Sequence, residues 1–589
     1  MQNPNTFYKQ ELEAHQLEVK SLYKKLTSLS FARISVFIAT GIGVYFAYSN
    51  LQIAIGIAVV GIIAFVYLLS KYTDLKYQHN LKKALVAINE EELKIASGDF
   101  KERNEGLQFQ DPNHAFSLDV DLFGKGSFFQ FINRTATEEG TKYLVKELTA
   151  NNIEGINSRQ EAIKELTEKP KWRQHFSAVA SLIKTETPAS KITDWLQEHK
   201  SFLSASMRFI PLAFTIGSAI ILFLGIFEVI SFLFLVFWLL LGSGISGVYL
   251  KRINDLAANT DQVKDTFKQY ASLLQQIETE NFSSKLLKDK QEYIQQEQKK
   301  ASLIFKEFSK HIDALDNRNN LISTIFGNGF LLIDIKNAYH IEQWIAQYKT
   351  TVVHWFEVVS FFDAYNTLGN YTFNHRDFVF PEIVSNNIVI EAKNLGHPLL
   401  DASKRITSDL SITDQQFFIV TGANMAGKST FLRTVSLHVV MANVGLPVCA
   451  TSSKYNPIKL ITSMRTSDSL TDDSSYFFSE LTRLKFVVDA LETDSYFIIL
   501  DEILKGTNST DKAIGSRKFV EKLVSKNATG IIATHDLSLC EIEKELEEVK
   551  NYYFDAEIIN DELFFDYKLK HGICQNMNAS FLLKKMEII

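Results

Sequence analysis

The sequence predicts three kinds of structure in one chain. They are an α/β phosphate-loop domain at the C-terminal end, an α-helical region before it, and four membrane-spanning helices arranged as two hairpins within that region. Three observations carry this reading. Gly422, Gly427, Lys428 and Ser429 fall in the pattern G-x-x-x-x-G-K-[ST], between an apolar run (Phe417 to Val420) and a helical run (Thr430 to Met441). Four long stretches carry no charge. Between them lie charged segments with helical spacing.

The 589 residues are enough for several domains. A net charge of −6 gives no compositional push toward nucleic acid, although an average can hide a basic face. Cys449, Cys540 and Cys574 are scattered and show no metal-ligand spacing, so a reduced compartment and no disulfide framework are expected.

Residues 6–30 read as a helix with a polar start that lacks the pattern of a cleavable leader. Ile34 to Tyr48 and Leu51 to Ser70 are uncharged and separated by Ser49-Asn50, a first hairpin. Phe209 to Phe227 and Val229 to Leu250, with Glu228 at the tip, form a second. Lys24, Lys25, Arg33, Lys71, Lys76, Lys200, Arg208, Lys251 and Arg252 flank the open ends, whereas the tips carry no Lys or Arg. The positive-inside rule therefore places both chain ends and the 72–200 segment in the cytoplasm, with the phosphate loop facing cytoplasmic ATP. The expected organisation is an N-terminal cytoplasmic helix (1–30), hairpin 1 (31–70), a cytoplasmic helical segment (71–207), hairpin 2 (208–250), a helical domain (251–383) and the α/β domain (384–589).

Within the helical parts, residues 72–105 continue out of the membrane as a helix, and Thr135 to Glu138 read as a cap for a helix ending near Thr149. Ile156 to His175 reads as one helix and Asn254 to Leu315 as a long charged one. Pro381 and the strand-like Ile388 to Ile390 mark the change to α/β structure.

The candidate nucleotide site is Gly422, Ala423, Asn424, Met425, Ala426, Gly427, Lys428, Ser429 and Thr430. Glycines let backbone N–H groups turn toward phosphate oxygens, the lysine supplies a cation to the outer phosphates, and the serine hydroxyl ligates Mg²⁺. Downstream, Tyr496 to Leu500 reads as a buried strand ending in Asp501-Glu502. A carboxylate there can hold Mg²⁺, and its neighbour can polarise the attacking water. Lys505 to Asp511 reads as a turn into a helix near Ala513, where hydroxyl residues either hold phosphate or merely cap. Gly530 to Thr534 is a further buried strand, and His535 at its end could sense the γ-phosphate.

These residues resemble the MutS family of DNA mismatch-repair ATPases, relatives of the ABC ATPases. The loop Thr421-Gly422-Ala423-Asn424-Met425-Ala426-Gly427-Lys428-Ser429-Thr430 is similar to the family's T-G-P-N-M-x-G-K-S-T. Ser475 to Glu480, Asp501 to Asp511, Thr534-His535, Gly396-His397-Pro398 and Tyr567 to Gly572 resemble its other elements. Asp121 to Gly124, Asn133 to Thr137 and Ser158 to Gln160 resemble the start of its helical core, and the helices of 254–380 its lever and clamp. No amino-terminal mismatch-reading domain is recognisable; membrane helices stand in that place. An Asn precedes Ser509-Thr510 where the family has none.

The resemblance implies an ABC-type ATPase domain and a homodimer that sandwiches ATP. Lys428 would bind the outer phosphates, Ser429 and Asp501 would serve Mg²⁺, Glu502 and His535 would be catalytic, and Ser509 would reach the opposite site. Action on DNA, in mismatch repair or recombination, is the implied function. The alternative is an ATP-driven membrane motor or scaffold that reads no DNA. A transporter fits less well, because no ionisable residue falls within the apolar stretches apart from Glu228 at a tip.

Overall fold

The computed structural model describes residues 3–183, 187–295, 297, 299–316, 321–423, 425–465, 476–559 and 562–575. The first part is helical. In order come α1 (Pro4–Phe46), α2 (Leu51–Ala96), α3 (Phe128–Ile132), α4 (Glu138–Thr149), α5 (Ile156–Thr167), α6 (Pro170–Ser181) and α7 (Ala189–Glu198). They are followed by α8 (Ile210–Ile226), α9 (Phe232–Thr279), α10 (Lys285–Tyr293), α11 (Ala301–Asp316), α12 (Leu321–Leu331), α13 (Ile333–Tyr348) and α14 (Thr351–Asn374). The α/β part begins with β1 (Glu382–Ile383), β2 (Ile388–Leu395), β3 (Ser408–Thr413), β4 (Phe417–Gly422), α15 (Lys428–Val444), β5 (Ser452–Tyr455) and β6 (Lys459–Ser463). It closes with α16 (Tyr476–Ala490), β7 (Tyr496–Asp501), α17 (Ser509–Ser525), β8 (Thr529–Ala533), β9 (Val549–Phe554), β10 (Glu557–Ile559), β11 (Glu562–Phe564) and β12 (Leu569–His571).

Several expected boundaries fall inside continuous helices. α1, α2 and α9 each run from an apolar, exposed end into a charged end that packs on protein, so divisions at 30, 70 and 250 mark a change of surroundings rather than of backbone. α9 has 48 residues, about 72 Å at 1.5 Å per residue. Its start exposes Phe232, Leu233 and Phe237, and its far end buries Val263, Phe267, Leu273 and Leu274 in the main core. Among the described residues, three helices are long and apolar enough to cross a membrane, and α8 is a shorter apolar helix of 17 residues.

Other expectations need correction. The helix read from Ile156 to His175 is two, α5 and α6, because Pro170 opens α6 and disfavours helical backbone before it. The stretch from Asn254 to Leu315 breaks after Thr279. There the Glu165 carboxylate accepts from the backbone N–H groups of Ser283 and Ser284 at 2.8 and 2.7 Å, fixing the turn. The helix leaving hairpin 1 ends at Ala96, short of 105.

The α/β part contains a six-stranded sheet in the order β12-β9-β4-β8-β7-β6 and a four-stranded sheet in the order β1-β5-β2-β3. In the first, β9, β4, β8, β7 and β6 are parallel and β12 is antiparallel. The central strand β4 buries both faces, as its continuous apolar run requires. Phe418 and Val420 join the large core shared with the helical region. Phe417 and Ile419 join a second core with Leu484, Val487, Val520 and Leu523 from α16 and α17. The helical region is bonded directly onto this domain. Asp119 accepts from Thr462 Oγ1 (2.6 Å) and from the N–H groups of Met464 and Arg465, and Arg159 donates to the Asn443 carbonyl at 2.7 Å.

Candidate active site

Strand register brings the three candidate segments together. Val420 on β4 and Asp501 on β7 both pair with Ala533 on β8, so the phosphate loop, Asp501-Glu502 and Thr534-His535 leave the same carboxyl edge of the sheet. This edge is where open parallel sheets bind ligands.

The loop is built by backbone constraints. Gly427 precedes α15 with φ of 103°, a conformation costly for other residues, and the Tyr567 ring covers it so closely that a Cβ would meet Cδ1 at 3.0 Å. A Cβ on Gly422 would meet the Phe554 carbonyl oxygen at 2.8 Å. Met425 is 79% exposed at φ 69°, a left-handed non-glycine residue at the loop crest. Asn424 lies outside the described residues.

Lys428 opens α15 and is 6% exposed. Its Nζ donates to the carbonyls of Gly422 (2.8 Å) and Ala423 (3.1 Å), and burial lowers its pKa. Ser429 Oγ donates to Asp501 Oδ2 at 2.7 Å. His535 Nε2 stands 2.8 Å from Glu502 Oε1 and 3.2 Å from Lys428 Nζ. One imidazole nitrogen cannot both donate to the carboxylate and accept from the ammonium. The shorter, charge-assisted contact sets the tautomer: Nε2 carries its hydrogen toward Glu502, and Lys428 is held by the two carbonyls. This hydrogen bond is the main reason the Glu502 carboxyl is held down at about 2. Glu502 sits at φ 52°, its N–H tied to the Ala533 carbonyl at 2.9 Å.

Ser509 lies on the exposed first turn of α17, which begins four residues before the expected Ala513. The cap is Asn508, whose side chain accepts from the Asp511 N–H at 2.9 Å, so the Ser509 hydroxyl is not used for capping. Of the other resembling elements, Ser475 lies outside the described residues. Glu480 is buried on α16 and accepts from the Lys505 N–H at 3.3 Å.

No sequence pattern marks the wall beside the loop. A cavity of about 390 Å³ is lined by Met425, Gly427, Thr430, Phe431, Phe554, Tyr567 and His397. Phe431 follows the loop motif and Tyr567 lies in the closing element, so both were within reach of the sequence, but no pattern marked them as one wall. Arg433, one turn beyond, pairs with Asp121 at 3.0 Å, as does Arg465 at 2.7 Å, linking α15 to the helical region.

The donor set fits Mg²⁺: a hydroxyl and a carboxylate side by side at the loop, an arrangement that leaves further positions to phosphates and water. Among the described residues no cluster of three or more His, Cys, Asp or Glu could hold a metal by itself.

Residues 418–585 match the family model for MutS domain V. MutS protein homolog 4 of Homo sapiens is 32% identical over 224 residues, 36% of this chain and 23% of that protein. The DNA mismatch repair protein MutS of Methanococcoides burtonii is 31% identical over 207 residues, 34% of this chain and 23% of that protein. That of Fusobacterium nucleatum is 34% identical over 190 residues, 31% of this chain and 21% of that protein. The chain thus spans less than a quarter of the length of these relatives, and the likeness falls in its C-terminal third. That part of the chain is a MutS domain V, an ABC-type ATPase domain.

Proposed function

We propose that the chain is a membrane-anchored, MutS-like ATPase that hydrolyses ATP between two copies of itself and acts on DNA. The observation that carries the catalytic part is the convergence of Lys428, Ser429, Asp501, Glu502 and His535 at one sheet edge. Gly422 to Thr430 would hold ATP, with Lys428 turning from the loop carbonyls to the outer phosphates. Ser429 and Asp501 would hold Mg²⁺, which when bound neutralises charge on the phosphate oxygens. Water attacks the γ-phosphorus as the bond to the ADP oxygen breaks, and the water's proton passes to the released phosphate, giving ADP and inorganic phosphate. Glu502, whose carboxyl is kept ionised by its bond to His535, would orient and polarise that water. His535 holds Glu502 at 2.8 Å and would sense the γ-phosphate. The exposed Ser509 is available to an opposite copy. The base would lie in the cavity walled by Phe431 and Tyr567.

Anchoring is supported by Phe37, Ile63, Phe223 and Phe232, each at least 60% exposed within uncharged stretches. DNA as the substrate is supported by the names of the relatives alone. A motor or scaffold that reads no DNA is favoured by α9, which joins a membrane helix to the core in one rod. Mg²⁺-dependent turnover should be measured with homoduplex, mismatched and branched DNA at two salt concentrations. Stimulation with salt-dependent binding is expected; neither one, with turnover intact, leaves the motor or scaffold.

Two further outcomes are expected. Tyr567→Ala should weaken ATP binding about 10-fold through lost aromatic contact, with little change in kcat; equilibrium binding checks it, and an unchanged Kd removes the base from this cavity. In His535→Ala the Glu502 carboxyl loses its main stabilising bond and returns toward its ordinary 4.5. The acid limb of turnover should then move up in pH, and a profile unchanged down to about pH 4.5 would count against the pairing.

A further inference from the structure

α12 lies in the stretch read from sequence as a cytoplasmic helical domain, yet no charge occurs from Leu321 to Ile333. Its end is packed onto the second hairpin. A Cβ on Gly242 of α9 would collide with the Gly329 carbonyl oxygen, and a Cβ on Gly329 would meet Leu239 Cγ at 2.7 Å. Ser218 of α8 donates to the Phe330 carbonyl at 2.6 Å and accepts from Trp238 Nε1 at 2.8 Å. Ile325, Phe326 and Leu331 are 41%, 54% and 42% exposed.

We infer that α12 is a re-entrant membrane element whose Ile325, Phe326 and Leu331 face lipid acyl chains; this rests on the membrane reading of α8 and α9. Ser218 and Gly242 both lie inside the uncharged runs, so the backbone that touches them shares their depth. The exposed face of α12 continues the apolar surface of that hairpin. With 11 residues, about 16 Å, α12 cannot cross a hydrocarbon core of about 30 Å, so it enters and returns on one side. Polar groups at its described C-terminal end find partners, as hydrocarbon demands. The Phe330 carbonyl has Ser218, and Asn328 exchanges hydrogen bonds with Asp334 at 2.9 and 3.1 Å across the turn into α13. α11 and α13 on either side are packed in the main core, so the helical region enters the bilayer at α12 as well as at its hairpins.

The test uses the full chain in phosphatidylcholine vesicles, spin-labelled at Phe326→Cys, at Phe234→Cys on α9, or at Leu303→Cys on α11, the last an exposed site outside the apolar runs. Collision with oxygen and with a water-soluble nickel chelate is measured. Labels at 326 and 234 should favour oxygen over nickel at least fivefold more than the label at 303. If 234 is in lipid but 326 behaves like 303, the inference fails and the anchoring reading stands. If 326 is shielded from both reagents, protein covers it and the lipid assignment is overturned. If 234 is aqueous, both readings fall. Adding Gly329→Leu should move 326 into water while 234 stays in lipid. If 326 stays in lipid instead, the Gly242 contact does not hold α12 in place, and that part of the assignment is overturned.

Discussion

Glu502→Gln is expected to lower steady-state ATP turnover by about 100-fold or more while ATP stays bound, since a positioned carboxylate of this kind is worth ~10²–10⁴ in rate. Glutamine has the same shape, and its carbonyl can still accept from His535 Nε2, which now stands 2.8 Å from Glu502 Oε1. The charge that polarises water is lost, but the groups that bind phosphates and base are left in place. ATP affinity should therefore change by less than about threefold, a difference under 1 kcal/mol. With turnover blocked, the ATP state persists, and a tight dimer should accumulate in light scattering on addition of ATP and Mg²⁺. Lys428→Ala provides the contrast, since it removes a phosphate contact and should lose binding itself. Turnover within about threefold of the parent in Glu502→Gln would show that another group activates the water.

Much of this site was legible because its parts are local. Lys428 and Ser429 come from one motif, and Asp501-Glu502 from a strand end with a characteristic apolar lead-in. What stayed hidden depends on juxtaposition. The sequence does not say that His535 would lie between Glu502 and Lys428, since that follows from β4, β8 and β7 being neighbours in register. Nor does it join Phe431, Phe554 and Tyr567 into one wall across 136 residues of chain. In the helical region, periodicity found helices but misjudged their ends. Pro170 was an available signal for the break before α6, whereas the end of α9 is held by Glu165, more than 100 residues away. The uncharged run of α12 drew no membrane expectation because length is the usual criterion and its 11 residues fall short.

The cap at Thr137 shows the same division and leads to the second large effect. Its role was read from Thr135 to Glu138, and the hydroxyl does accept from the Gly140 N–H at 3.0 Å. What fixes it is Asp363, 226 residues away on α14 and fully buried. The Asp363 carboxylate accepts from the N–H groups of Ala136 (3.0 and 3.1 Å) and Thr137 (2.8 Å) and from Thr137 Oγ1 (2.7 Å). Asp363→Ala would leave two backbone donors without partners, that of Thr137 buried and that of Ala136 half-buried, at up to about 1–3 kcal/mol each. Relief of the carboxyl's own burial offsets part of this, for burial pushes its pKa up to about 6. A net loss of about 2–4 kcal/mol is expected, or roughly 2–3 °C in the apparent Tm of the full chain in detergent, followed by tryptophan fluorescence. The pH dependence has a definite sign. Because the folded value lies above the ordinary 3.8, the fold favours the protonated form, and this contribution is full below about 3.8 and lost as pH rises through about 6. The geometry can accommodate that proton on Oδ1, since Oδ2 alone reaches all three donors. The stability gap between the parent and Asp363→Ala should therefore widen from pH 8 to pH 5; a gap that narrows, or a Tm within 1 °C, would place the stabilisation elsewhere. Thr137→Ala, which removes the cap but leaves the carboxylate its backbone donors, should cost about 1 kcal/mol. Asp363→Ala should also slow ATP turnover, because α4 and α5 lie against α15, with Arg159 bonded to the end of that helix, and α15 carries Lys428 and Ser429.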